Sequence, residues 1–190
     1  MERNRCKWAV QNETEMAYHD TEWGLPLHDD QKLFELLILE GMQAGLSWDC
    51  ILKKREHFRK AFDGFNAEKM ANYSEEKLQS LLQDKGIIRN RLKVYGTVTN
   101  AKAYLKIRDE FGSFNNYLWG FVDGKPIINN WKMHEDVPTS TELSDRISKE
   151  LKKWGFTFVG TTIIYAYMQS AGLVNDHLVD CFRHKEVQES

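Results

Sequence analysis

Cysteine is scarce in this chain, and what there is stands far apart: Cys6, Cys50 and Cys181 in 190 residues. An odd number at such separations, with no secretion signal, argues against a disulfide scaffold and for a reducing cytosol. Neither sign of charge is in excess. With a formal net charge of −2, a polyanionic partner must be held by a local basic patch, because there is no global field to attract it. Long apolar runs are missing too. Met1-Glu2-Arg3-Asn4-Arg5 leads into no signal core, and no stretch is long enough for a bilayer, which predicts a cytoplasmic protein without a membrane partner. Repeats, low-complexity tracts and flexible linkers are absent as well. The expectation is one helical domain over residues 1–190, two intimately joined lobes, working as a monomer.

What the chain does have is organised around Glu40-Gly41-Met42-Gln43-Ala44-Gly45-Leu46-Ser47-Trp48. Before it runs Leu33-Phe34-Glu35-Leu36-Leu37-Ile38-Leu39, a helix that Asp30 can cap, with Leu33, Leu36, Leu37 and Glu40 on one side by helical spacing. A carboxylate at the end of so apolar a surface is costly to desolvate unless something compensates it. Two glycines loosen the backbone, and Ser47 can cap a second helix opening at Trp48. Helix, turn and helix thus bring a carboxylate and an indole to one corner, which suits a pocket for something flat and cationic. The same residues also fit an ordinary core tryptophan and a solvated helix end.

Upstream lies Tyr18-His19-Asp20-Thr21-Glu22-Trp23-Gly24-Leu25-Pro26, dense in side chains able to do chemistry, or else a surface loop pinned by aromatics. Downstream, Asn66 and Ser74 read as helix caps. The helix after Ser74 ends at Asp84-Lys85-Gly86, and a second opens among Arg89, Arg91 and Lys93. Such a hairpin can offer backbone N–H groups and charge to a phosphate, or be a plain turn with solvated bases. A helix over residues 97–108 is amphipathic, residues 126–138 read as an irregular connection, and Thr139-x-x-Glu142 reads as a capping box. Phe156-Thr157-Phe158-Val159-Gly160 has no clear strand partner and reads as an extended link before a last long helix at Thr161 or Thr162.

His177 and Cys181 stand at i and i+4, so a helical turn would put them on one face. Two ligands do not close a tetrahedral zinc site, and the best complement is Cys6 with His19 near the other end. The alternative is two solvated histidines and two buried thiols. Four protein ligands would leave no position for an activated water, so a site of this kind would be structural.

Taken together, Tyr18-His19-Asp20-x-Glu22-Trp23-Gly24, the Glu40–Trp48 stretch, Gly155-Phe156-x-Phe158-Val159-Gly160-Thr161-Thr162 and Ala171-Gly172-Leu173-Val174-Asn175-Asp176-His177 resemble the 3-methyladenine DNA glycosylase I family of the helix-hairpin-helix glycosylase superfamily. The resemblance runs from Cys6 to Cys181. It implies an all-α, compact helix-hairpin-helix glycosylase-like fold in bacterial cytoplasm, acting at the nucleoid on double-stranded alkylated DNA and releasing free 3-methyladenine. It further implies a structural Zn2+ on Cys6, His19, His177 and Cys181, tying the two ends of the chain together. Gly86, Arg89, Arg91 and Lys93 become the DNA-binding hairpin, and Glu40 the base-recognising carboxylate. On this reading Trp48 stacks on the extruded cation, Tyr18 adds a polar contact and Trp23 walls the pocket. Protonation of so good a leaving group is unnecessary, and without a nucleophilic lysine at the hairpin no strand cleavage is expected. Glu15 and Met42 depart from the residues some relatives carry, which puts detailed base contacts in question. Two rival readings are a zinc-stabilised DNA-binding module without catalysis and a small-molecule hydrolase using Glu40.

Overall fold

The computed structural model describes residues 3–189. Its helices are α1 (Glu13–Thr21), α2 (Asp30–Gln43), α3 (Trp48–Ala61), α4 (Ala67–Ala71), α5 (Glu75–Gln83), α6 (Arg91–Phe111), α7 (Phe114–Trp119), α8 (Glu142–Trp154), α9 (Thr161–Ser170) and α10 (Phe182–Glu186). Two residues of β1 (Ile127–Ile128) pair in parallel with two of β2 (Val174–Asn175), Ile127 facing Val174 and Ile128 facing Asn175. The all-α expectation holds, and this short pairing pins the irregular 126–138 connection to the chain just before His177. Among the described residues no helix is long and apolar enough to cross a membrane.

Helix α2 is the axle. Leu33, Phe34, Leu37, Ile38, Leu39 and Met42 are all buried, so apolar residues occupy more than one face and neighbours must cover it on several sides. Helices α3, α6, α7 and α9 do so. A second, smaller cluster gathers Cys6, Tyr18, Trp23, Leu52, Leu178 and Cys181, with Trp48 packed against both cores. Trp48 therefore stands at the seam between the two ends of the chain and the helical body.

The caps follow local chemistry, with two shifts from expectation. Asp29, not Asp30, caps α2, accepting the Lys32 N–H at 2.8 Å. Asp30 serves a distant helix instead, taking the N–H groups of Phe114 (2.9 Å) and Asn115 (2.8 Å) at the start of α7. Likewise Thr141 caps α8 with Ser144 in reciprocal bonds, and Thr139 lies outside the helix. The observed box uses Ser144 in place of the usual Glu or Gln, so the sequence pattern pointed to the other threonine. Asn66 and Ser74 cap as expected. The 156–160 link is without strand pairing, as expected, but it bends at Thr157 and Phe158 instead of running extended: Phe158, at φ 57°, lies against Gly41 of α2 and Gly96 of α6.

One glycine is indispensable to the connection that carries the Asn175-Asp176-His177 motif. Gly172 has φ 72°, and a Cβ there would sit 2.4 Å from the Leu25 carbonyl. Both the left-handed backbone and the clash penalise any side chain. Gly172→Ala is expected to cost about 3 kcal/mol of unfolding free energy. Denaturant unfolding that finds less than about 1 kcal/mol would show the Leu25 loop yielding freely.

Candidate active site and metal centre

The sequence places Glu40 one turn from the end of α2, and burial makes it unusual. Its side chain is 2 % exposed and accepts a 2.6 Å hydrogen bond from Ser170 Oγ at the end of α9. Removal from water pushes the carboxyl up to about 8, against the opposing pull of the Ser170 hydroxyl. Ser47 caps α3 through the Cys50 N–H and sets Trp48 at its first position. Tyr18 comes from the last turns of α1, and Trp23 from the turn beyond it.

These four expected residues line a single cavity of about 210 Å3, together with Trp8 and Ser170. Tyr18 and Trp48 rings are 5.6 Å apart and tilted; Trp8 meets Trp23 edge-on at 5.1 Å. Among the described residues the Tyr18 hydroxyl and Trp48 Nε1 are buried without a hydrogen-bond partner. Such groups are costly until a ligand pairs them. Burial, reinforced by the nearby Glu40 charge, holds the Tyr18 phenol well above its ordinary range, so it remains a donor. An aromatic box with a donor and a carboxyl acceptor fits a flat cation better than a neutral ring.

Two residues flagged in the sequence lie elsewhere. Glu15 ties back to Asn12 at the start of α1, and Met42 is core; neither side chain lines the cavity. Sequence reasoning missed Trp8, Ser170, Gln169 and Asp176, which all line it. Asp176 and Ser170 stand inside or beside quoted motifs, but nothing in their spacing says that they meet at the cavity of Glu40.

Cys6, His19, His177 and Cys181 converge, all buried, with one ligand atom of each within 4.8 Å of the others. Cys181 Sγ is 3.4 Å from His19 Nε2 and 3.6 Å from His177 Nδ1, which is itself 3.8 Å from Cys6 Sγ. These separations match the edges of a zinc tetrahedron with Zn–S of about 2.3 Å and Zn–N of about 2.0 Å. Each imidazole is held by its other nitrogen. His177 Nε2 donates to the Trp23 carbonyl at 3.0 Å, and His19 Nδ1 bonds Asp20 at 2.8 Å. Both ligand lone pairs therefore face the thiols, as a metal requires. Gly24 makes room: a Cβ there would lie 2.9 Å from His177 Nε2. The donor set fits zinc. The expected helical turn from His177 to Cys181 is not formed; β2 pulls the chain into a non-helical turn that still brings the two together.

The expected hairpin from Gly86 to Lys93 falls on the short connection between α5 and α6 and the first turn of α6, with Arg89 and Arg91 exposed. Lys93 corrects the expectation. It is 8 % exposed, and its ammonium donates to the carbonyls of Met42 (2.8 Å) and Ala44 (2.7 Å), closing the C-terminal end of α2. A cation at that pole of the helix dipole supports Glu40's helix, and two of its three donors point inward, away from a phosphate backbone. The Gly86 N–H is occupied by Asp84 Oδ1 at 2.7 Å, and Lys54 from α3 reaches the Lys85 carbonyl at 3.0 Å.

Fold and site together define a helical protein with an acidic, aromatic cavity of base size beside a buried thiol–imidazole cluster. The chain belongs to the methyladenine glycosylase family, whose pattern matches residues 8–184. It is 49% identical over 177 residues to DNA-3-methyladenine glycosylase 1 of Escherichia coli K12, covering 93% of this chain and 95% of that one. A crystal structure of 3-methyladenine DNA glycosylase I superposes with a TM-score of 0.92 at 49% identity, over 94% of this chain and 98% of the other. The Staphylococcus aureus protein, solved for the structural basis of 3-methyladenine recognition, also gives 0.92 at 38% identity, with 95% and 96% covered.

Proposed function

We propose that this chain is a base-excision repair enzyme that hydrolyses the N-glycosidic bond of 3-methyladenine in double-stranded alkylated DNA, leaving an abasic site and an uncut strand. The observation that carries the reading is the convergence of Glu40, Tyr18 and Trp48 on one cavity. Methylation at N3 makes adenine a cation and weakens its pairing, so swinging that nucleotide out of the stack costs less than extruding an intact one. Trp48 stacks on the cation, and Trp23 and Trp8 wall it. Glu40 accepts from the exocyclic amine edge, and the orphan Tyr18 hydroxyl donates to a ring nitrogen.

Selectivity follows from the buried carboxyl. At pH 7 ionising Glu40 costs about 1.4 kcal/mol for each unit its pKa stands above the pH. A bound cation offsets that cost and neutral adenine does not. Charge already on the base makes it a good leaving group, and water attack at C1′ completes the hydrolysis.

Cys6, His19, His177 and Cys181 would hold one Zn2+, which when bound crosslinks the N-terminal segment to the C-terminal turn. Arg89 and Arg91 of the hairpin supply phosphate contacts. Arg91→Ala is expected to weaken DNA binding about uniformly across sequences and to reduce the salt slope of log K by about 1. A Lys93 variant should leave that slope intact; an equal loss at Lys93 would return it to the phosphate set. The protein acts as a monomer on chromosomal DNA inside the cell, each copy carrying the complete site.

Chromatography of bases released from methylated DNA tests the whole reading. Free 3-methyladenine should appear and the strand should stay unbroken until the abasic sites are cleaved chemically. DNA binding without base release would favour the non-catalytic module, and salt-insensitive hydrolysis without DNA binding the small-molecule enzyme.

A further inference from the structure

Asp176 is 2 % exposed, lines the cavity, and receives four hydrogen bonds. Asn129 Nδ2 (2.7 Å) and Trp131 Nε1 (2.8 Å) reach Oδ1; Tyr165 Oη (2.6 Å) and Gln169 Nε2 (2.8 Å) reach Oδ2. A carboxylate can only accept, so it fixes which end of the Gln169 amide faces it. The amide nitrogen is taken by Asp176. Gln169 Oε1 is turned away from it and stays accessible, because it is not among the buried unpartnered atoms and accepts no bond from the described residues. Gln169 lines the same cavity as Glu40, and Glu40 is bonded to the very next residue, Ser170.

From this arrangement we infer that Gln169, held by Asp176, is a second acceptor for the exocyclic amine and sets the preference for methylated adenine over methylated guanine. This rests on the cavity being the base site. The six-amino group of adenine carries two hydrogens, one for Glu40 and one for Gln169 Oε1. Guanine presents an oxygen at that position, and two acceptors facing each other repel. Asp176 is a positioning residue: both of its oxygens are taken by protein donors, and it acts by denying Gln169 the flipped orientation.

The test uses methylated DNA, full-length protein and release of 3-methyladenine and 3-methylguanine measured side by side. Gln169→Met keeps the length and apolar stem but removes the acceptor. Its kcat/KM for 3-methyladenine should fall about tenfold or more, and the ratio of 3-methyladenine to 3-methylguanine release should narrow by a similar factor. Gln169→Leu, with thermal unfolding of both variants, guards against one failing to fold. If either folded variant excises both bases in the wild-type ratio, whether at full rate or at rates lowered in common, Gln169 is structural and the inference is overturned. Wild-type protein that releases neither base would instead overturn the proposed enzyme.

Discussion

Glu40→Gln is expected to lower kcat/KM for release of 3-methyladenine by about 100-fold while making the protein more stable at alkaline pH. The first effect follows from removing a charge that can bond the departing base, since the oxygens of the other carboxylate in the lining, Asp176, are taken by protein donors; loss of a single preorganised electrostatic partner typically costs about 10²–10³ in rate. The second follows from burial. In the folded protein the Glu40 carboxyl titrates near 8, against an ordinary value of 4.5, chiefly because the cavity excludes water from it. A raised folded pKa means the group favours the fold most below its unfolded pKa, and that contribution is lost as pH rises through 8. Fully lost, it amounts to on the order of 5 kcal/mol. Glutamine never ionises and escapes the loss, so the variant should unfold later than wild type at pH 9 and no later at pH 4. The pH profile supplies a third readout. Wild-type kcat/KM should rise toward pH 8 as free Glu40 ionises, and the variant should lack that limb. A variant that is slow but no more stable at pH 9 would mean that Glu40 meets enough water to be an ordinary surface acid.

The same substitution thus separates what was legible in the sequence from what was not. An acid at the end of an apolar helix, two glycines, a cap and an indole are local signals, and local physics fixes them: Glu40, Ser47 and Trp48 occupy the corner as expected. The partners of that acid are not local. Ser170 lies 130 positions away, and only the packing of α9 on α2 brings its hydroxyl to the carboxylate. Lys93 shows the converse. Read along the chain, it is one more base at a helix start beside Arg89 and Arg91. In space it turns inward because the end of α2 presents two carbonyls that need a donor. Charge patterning cannot distinguish a solvated lysine from one that closes a neighbouring helix, since both satisfy the same spacing. The thiol–imidazole set was legible as a list of ligand types, and its geometry survived a wrong local expectation. Neighbours in a turn meet almost as well as neighbours on a helix, so Cys181 and His177 converge without the predicted helical turn.

The metal centre carries the other large expected effect. Purified without chelators, the protein should contain about one zinc per chain. His177→Ala should lose it and drop unfolding free energy by about 4 kcal/mol or more. The size of the effect has a structural source. Asn4 and Asp180 are joined by a single side-chain bond, and the Phe182 N–H reaches the Asn4 carbonyl at 3.0 Å. Arg3 pairs with Glu186 at 3.7 Å, and Arg3 and Arg5 lie over the Phe182 ring, but these contacts are at the surface; the buried fastening is the set of two thiols and two imidazoles. Without an ion, that set places a thiolate-prone Cys181, held low by hydrogen bonds from Cys6 and both histidines, in a site nearly closed to water. An uncompensated charge there is expensive; a divalent cation turns the cost into cohesion. Catalysis should respond differently, because Glu40 and Ser170 belong to α2 and α9 and depend on the main core. At a temperature where His177→Ala remains folded, base release should stay within about tenfold of wild type, with the residual loss traced to Trp23, whose carbonyl bonds His177. Zinc-free wild-type protein, or a His177 variant that unfolds with wild-type stability, would leave the four side chains as a close-packed polar core and nothing more.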